Sequence, residues 1–203
     1  MNFLFHIYLS KDDPEEMIGN FLGDFVKAGQ EDIFPEKIKK GILLHRKIDA
    51  FSMRNSIFKN SKNRFPKEIK RYSGIAVDVI YDHFLAKHFS KVAGKDLLEF
   101  TQNFYELLLP IEPKPGRLKD IFPFLKSENW LYRYREPEYI DFVFKRISNR
   151  FKRDSNLSHC YPIFRQNYDK FEQDFWQFLP QIEEYVKSLR VSQSSVSHSP
   201  LRL

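Results

Sequence analysis

Apolar residues recur at helical spacing along almost the whole chain, and the two-residue alternation of a half-buried strand is nearly absent. Met17, Ile18, Phe21, Leu22, Phe25 and Val26 form the first clear stripe. They predict a helix that opens at Asp13-Pro14, with Asp13 as its cap, and ends near Gly29. Residues 2–10, ahead of it, are apolar apart from Asn2, His6 and Ser10. Pro35 opens a helix that carries GILLHRKIDAF at 41–51 and weakens over 52–56. Another starts near Glu68, behind Pro66, and runs through GIAVDVIYDHFLAKHF. Residues 96–109 predict an amphipathic helix, and IEPKPGR, with two prolines and a glycine, predicts a loop. Residues 118–151 read as two short helices parted at Glu136-Pro137. The last helix, 162–189, gathers Phe164, Tyr168, Phe171, Phe175, Phe178 and Leu179 on one side, and Pro180 either kinks it or divides it. The expectation is an all-α, single-domain helical bundle over residues 1–190. Residues 191–203 are expected to form a polar, flexible tail, with His198 outside any site.

Composition narrows this picture. A chain of 203 residues with 42% apolar and 30% charged positions can bury a substantial core and remain soluble. No apolar run approaches the roughly 18–20 residues of a membrane span. MNFLFHIYLSKDD lacks a basic start and a small-residue cleavage site, and His6 breaks its apolar run, so it reads as part of the fold rather than as a signal peptide. The single cysteine, Cys160, rules out an internal disulfide framework and a Cys-rich zinc site, and fits a cytoplasmic location. Its neighbour His159 makes no convincing dyad with it, because adjacent side chains usually diverge. The net charge of +6 favours an acidic partner, although the basic residues are scattered and an ordinary solvated surface explains them equally well. Most of the 21 phenylalanines are expected in the core.

The candidate chemistry lies in polar residues within apolar segments: His6, Asn20, Asp24, His45, Asp49, Asp78, Asp82 and His83. His45 and Asp49 stand one helical turn apart, as do Asn20 and Asp24, and Asp78 and Asp82. Each has a bland explanation alone, such as a hydrogen-bonded core histidine or a local salt bridge. Together, several carboxylates on apolar faces repel one another unless cations intervene, and Arg46 alone is too little. A His/Asp set without cysteine suits a divalent ion such as Mn²⁺, Mg²⁺ or Fe²⁺, which in a helical pocket points to phosphate-ester hydrolysis. Walker A, dinucleotide-binding, G-x-S-x-G and H-E-x-x-H motifs are all absent. Gly19 and Gly23 would allow a helix or a ligand to approach closely.

The segments MNFLFHIYLS, GNFLGDFVKAG, GILLHRKIDAF, YSGIAVDVIYDHFLAKHF and ENWLYRY, with FWQFLP near the end, resemble in order the acyl carrier protein phosphodiesterases. That family has been linked to the HD-type metal-dependent phosphohydrolases. The resemblance implies removal of 4′-phosphopantetheine from the serine of holo acyl carrier protein, with Mn²⁺ as the favoured metal. It also implies roles. His45, Asp82 and His83, with Asp24 or Asp78, would hold metal. Asp49 would orient His45 or act in catalysis alongside Asp78. Arg46 would bind the phosphodiester or a carrier carboxylate, and His6 would be a ligand or, with Asn20, a supporting group. A basic rim of Lys37, Lys39, Lys40, Arg46, Lys67, Lys70 and Arg71 would receive the acidic carrier, with no role for nucleic acid or a membrane span. One stretch departs from the pattern. Where the family commonly reads Phe-Thr-Asp-x-His-Pro, this chain reads FSMRNS, so Met53 and Asn55 replace an acid and a histidine. Two other readings use the same residues: a phosphohydrolase of nucleotides or other small phosphoesters, and a non-catalytic helical protein that binds an acidic partner.

Overall fold

Nearly every buried apolar position falls in a helix, and the computed structural model, which describes residues 2–151 and 155–196, has no strand among them. The bundle is built from α1 (Phe3–Leu9), α2 (Pro14–Leu22), α3 (Glu36–Arg54), α4 (Ser56–Asn63), α5 (Ser73–Lys87), α6 (Phe89–Ala93), α7 (Leu97–Leu108), α8 (Leu118–Ser127), α9 (Trp130–Arg133), α10 (Pro137–Ser148), α11 (Cys160–Gln166) and α12 (Tyr168–Val196). Short 3₁₀ turns occupy Glu31–Ile33 and Leu157–His159. No helix is long and apolar enough to cross a membrane.

α5 is the axis of the fold. Ala76, Val77 and the continuous run from Val79 to Ala86 are buried, so it has no solvent face along most of its length. A helix apolar on all sides must be surrounded, and α1, α4, α10 and α12 pack on it. Aromatic rings fill the space between: Tyr81 lies 5.2 Å from Phe178 and Phe84 5.9 Å from Phe175, centroid to centroid. The abundance of phenylalanine is therefore mainly core, as expected.

α1 is short and almost wholly buried. Seven residues make a poor isolated helix, and its first turn is completed from elsewhere in the chain. Asp82 of α5 accepts hydrogen bonds from the backbone N–H groups of Leu4 (2.8 Å) and Phe5 (3.0 Å). α2 starts as its sequence dictates, with Asp13 Oδ1 accepting from the N–H groups of Glu15 and Glu16. It then packs on α3 at backbone contact. A Cβ on Gly19 would stand 2.1 Å from the Ile38 carbonyl oxygen, and one on Gly41 2.6 Å from that of Glu16. Only glycine permits this approach.

Several boundaries differ from the sequence reading for identifiable reasons. α2 ends at Leu22, not near Gly29, because the chain turns there. The helical pattern continues only because Phe25 still points inward, stacked on Phe3 with centroids 5.7 Å apart. α5 begins at Ser73, and the turns before it mimic a helix because Ile69 is buried. Asn129, in the left-handed region, splits 118–151 into three helices by capping α9. Asn167 divides the last predicted helix into α11 and α12, and α12 continues through Pro180. Residues 191–196 are helical rather than a loose tail, while residues 197–203, with His198, lie outside the described residues.

Candidate functional site

α1, α2 and α3 bring four of the expected polar residues to one place. His6 comes from α1, Asn20 from α2, and His45 and Asp49 from successive turns of α3. The close α2–α3 packing lets the Asn20 backbone carbonyl accept from His45 Nδ1 at 2.7 Å. Asn20 is fully buried and its amide is completely engaged. Nδ2 donates to the His6 carbonyl (2.7 Å) and to Ser10 Oγ (3.0 Å), leaving Oδ1 to accept from His6 Nδ1 at 2.8 Å. These partners assign the proton of each neutral imidazole to Nδ1. Both Nε2 lone pairs then face Asp49: His6 Nε2 lies 3.3 Å from Oδ1, and His45 Nε2 3.3 Å from Oδ2. The rings stack with centroids 3.8 Å apart. Asp24, just beyond the end of α2, brings Oδ1 to 4.0 Å from His45 Nε2.

Two imidazole lone pairs and a carboxylate are all acceptors, so a positive species belongs between them. A proton on both rings is disfavoured. Burial, reinforced by neighbouring His45, pushes His6 down to about 3. For His45, burial acts in the same direction but is outweighed by the hydrogen bond to Asp49 and the charge of Asp24, so its pKa is raised. Burial would lift Asp49, yet the charge of the chain's amino terminus first, and then the hydrogen bonds to His45 and His6, hold its carboxyl well below the usual range. The ligand atoms of His6, His45 and Asp49 all lie within 4.8 Å of one another. Donors about 2.1 Å from a common ion lie roughly 3.0–3.4 Å apart at ordinary coordination angles, so the 3.3 Å contacts fit a divalent cation. The Nδ1 hydrogen bonds fix both rings in the manner usual for ligating histidines.

Gly23 completes this arrangement. A Cβ there would stand 2.2 Å from His45 Cγ. Gly23→Ala is therefore expected to displace the imidazole and destabilise the fold by about 1–3 kcal/mol, as overpacking does. A thermal melt and a divalent-ion titration of the variant check both effects.

The structure does not bring the other expected ligands into this cluster. Both oxygens of Asp82 are bonded to the start of α1, and burial lifts its carboxyl to about 8. His83 has both nitrogens engaged, Nδ1 with the Tyr134 carbonyl and Nε2 with the Tyr168 hydroxyl, each at 2.8 Å. Burial depresses it to about 4. The two follow Asp78 by about one turn of α5, but their side chains bond to the start of α1, to Tyr134 at the end of α9 and to Tyr168 of α12. Arg46 forms a two-pronged pair with Glu31 at 2.8 and 3.1 Å. Part of the expected basic rim also pairs locally: Lys37 with Glu15, Lys39 with Asp32 and Lys40 with Glu36. Asn55 caps α4 through Oδ1, and Met53 is half exposed, so neither departure from the pattern enters the cluster. Cys160 is buried, with its thiol pushed up to about 12.

Asp24 and Asp78 open onto a cleft of about 290 Å³. Burial, together with the charge of Asp49, lifts Asp78 to about 6. The remaining walls carry Arg117, Arg146 and Arg150 and the rings of Trp130, Tyr134 and Tyr139. Sequence reasoning missed the three arginines. The available signal was Arg146 and Arg150, one turn apart behind an apolar stripe.

A family model described as acyl carrier protein phosphodiesterase matches residues 1–182. Relatives named acyl carrier protein phosphodiesterase include one from Escherichia coli O45:K1, 34% identical over 91% of this chain and 96% of its own length. One from Enterobacter sp. (strain 638) is 33% identical over 93% and 98%, and one from Klebsiella pneumoniae 33% over 90% and 95%. No solved structure matches.

Proposed function

Since the chain belongs to the acyl carrier protein phosphodiesterase family, we propose that it hydrolyses the phosphodiester linking 4′-phosphopantetheine to the serine of holo acyl carrier protein, releasing apo carrier protein. The observation that carries the chemistry is the convergence of two orientation-locked imidazoles on Asp49, with Asp24 at the margin. His6, His45 and Asp49 would hold a divalent ion, with Asp24 as an additional donor. Mn²⁺ is the preferred candidate, with Mg²⁺ or Fe²⁺ as alternatives. Such an ion supplies positive charge against phosphoryl oxygens and lowers the pKa of water.

The chain's own residues do the remainder. Asn20 keeps both Nε2 atoms directed at the reaction centre. Asp78, on the wall of the adjoining cleft, retains its proton to about pH 6 because of burial and the neighbouring acids. It is thereby suited to protonate the serine oxygen as it leaves. Water adds to phosphorus, the P–O(serine) bond breaks, and the products are a serine hydroxyl and a phosphate monoester. The net charge of +6 favours encounter with an acidic protein.

The test is incubation with holo carrier protein and Mn²⁺, followed by intact-mass measurement. Conversion to the apo mass that stops with chelator is the expected result. Cleavage of small phosphoesters with none of holo carrier protein would replace this reading with that of a small-molecule phosphohydrolase. Absence of both activities and of ion binding would leave a binding protein.

A further inference from the structure

The cleft beside the His/Asp cluster carries three arginines. Among the described residues, no carboxylate lies within ion-pair distance of Arg117, Arg146 or Arg150, in contrast to Arg46, Arg64 and Arg190. Aromatic rings position two of the three. The Arg146 guanidinium lies 3.4 Å from the Trp130 ring centroid, and that of Arg117 lies 5.4 Å from the Phe25 centroid. A ring holds a guanidinium in place and leaves its charge and much of its N–H fork available. The three are close enough for mutual repulsion. Burial first, then Arg117 and Arg146, lower Arg150 to about 10. Gathering like charges in a concave site is unfavourable unless an anion completes it. Arg117 and Arg150 also act electrostatically on Asp24, so the positive wall adjoins the acidic end of the cleft.

We infer that Arg117, Arg146 and Arg150 form a phosphate-binding subsite, and that the cleft beyond them, walled by Trp130 and Tyr134, receives the extended amide chain esterified to that phosphate. The occupant is a phosphate monoester or diester of a slender, largely neutral chain. On the proposed function, it is the 4′-phosphopantetheine arm. The cleft volume of about 290 Å³ stands at the lower edge of the usual range for small-ligand sites, roughly 300–1,000 Å³. It suits an arm and not a folded domain. A phosphate monoester dianion engages guanidinium forks more strongly than a diester monoanion. The released arm is therefore a stronger ligand for the arginines than the phosphate it came from, and acts as a product inhibitor.

Calorimetric titration of the full-length protein with 4′-phosphopantetheine and with unphosphorylated pantetheine tests this, both with Mn²⁺ and with chelator. The expected result is at least tenfold tighter binding of the phosphorylated compound in both conditions. Arg150→Gln should weaken it about tenfold, and Arg150→Lys by less. Trp130 emission should respond to the ligand, because its ring lies in the cleft wall. Equal affinities for the two compounds would overturn the subsite, as would unchanged phosphate dependence in both Arg150→Gln and Arg117→Gln variants that retain the wild-type melt. A preference that disappears with chelator would assign phosphate recognition to the ion and also overturn it. The outcome separates from that of the proposed function. Arginine-dependent binding without hydrolysis of holo carrier protein would sustain the subsite alone. Hydrolysis with an unaltered KM and no product inhibition in the arginine variants would sustain the function alone.

Discussion

His45→Ala is expected to abolish measurable turnover and to lower divalent-ion affinity by at least a hundredfold, and His6→Ala to do nearly the same. Each change deletes one of the two Nε2 donors that face Asp49 at 3.3 Å. Loss of a group that only orients a ligand typically costs 10–100-fold in metal affinity, so loss of a ligand itself should exceed that. Asn20→Ala supplies the intermediate case. It removes the Oδ1 acceptor that sets the His6 tautomer but leaves the backbone carbonyl that sets His45. A 10–100-fold reduction in affinity is the expected result. Arg46→Ala provides the contrast, because Arg46 is held by Glu31, and its turnover should remain within a few-fold of wild type. Mn²⁺ titration calorimetry and initial rates on holo carrier protein measure the series. Wild-type Mn²⁺ affinity in both histidine variants would remove the ion from the cluster, and a collapse of turnover in Arg46→Ala would restore that residue to the site.

The ordering of this series shows which parts of the site were legible in the sequence. His45 and Asp49 were visible because helical spacing alone puts them on one face, and the structure retains that face. Asp13 and Pro14 marked a helix start for equally local reasons. His6 and Asn20 were identifiable as polar residues in apolar segments. Their partnership depends on α1 crossing α2 and on Gly19 and Gly41 bringing two backbones together, which no local pattern encodes. For Arg46, Lys37, Lys39 and Lys40, sequence clustering counts charges without revealing the acids that pair with them. Arg117, Arg146 and Arg150 were missed for the converse reason. They come from separate segments, and only the folded chain brings them to one cleft, where among the described residues none has a carboxylate within ion-pair distance. The all-α class was the most secure inference, because it depends on periodicity summed over the entire chain.

Asp82→Ala should damage the fold rather than ion binding, which separates the two roles open to this residue. Its oxygens accept from Leu4 and Phe5 at the start of α1, a site sealed from water. Truncation leaves two buried N–H groups without an acceptor, at about 1–3 kcal/mol each. A total of roughly 2–6 kcal/mol corresponds to a fall in Tm of about 4–24 °C for a chain of this size. Asp82→Asn retains one carbonyl oxygen in place and should lose less than half of that. The pH dependence gives an independent check. Burial raises the folded-state pKa to about 8 against the two N–H donors, while the unfolded carboxyl titrates near 3.8. Between these values the native state binds the extra proton. The contribution of Asp82 to stability is thus greatest at low pH and declines as pH rises towards 8. Asp82→Asn carries no titratable proton, so its stability should decline less steeply than that of wild type across this window in denaturant titrations. A ligand role predicts the reverse pattern: a near-wild-type melt without added ion, together with lost Mn²⁺ affinity in both variants. Asp82 sits one turn from Asp78 on the helix that the whole bundle surrounds. Through it α5 holds α1 in position, and α1 in turn presents His6 to His45 and Asp49.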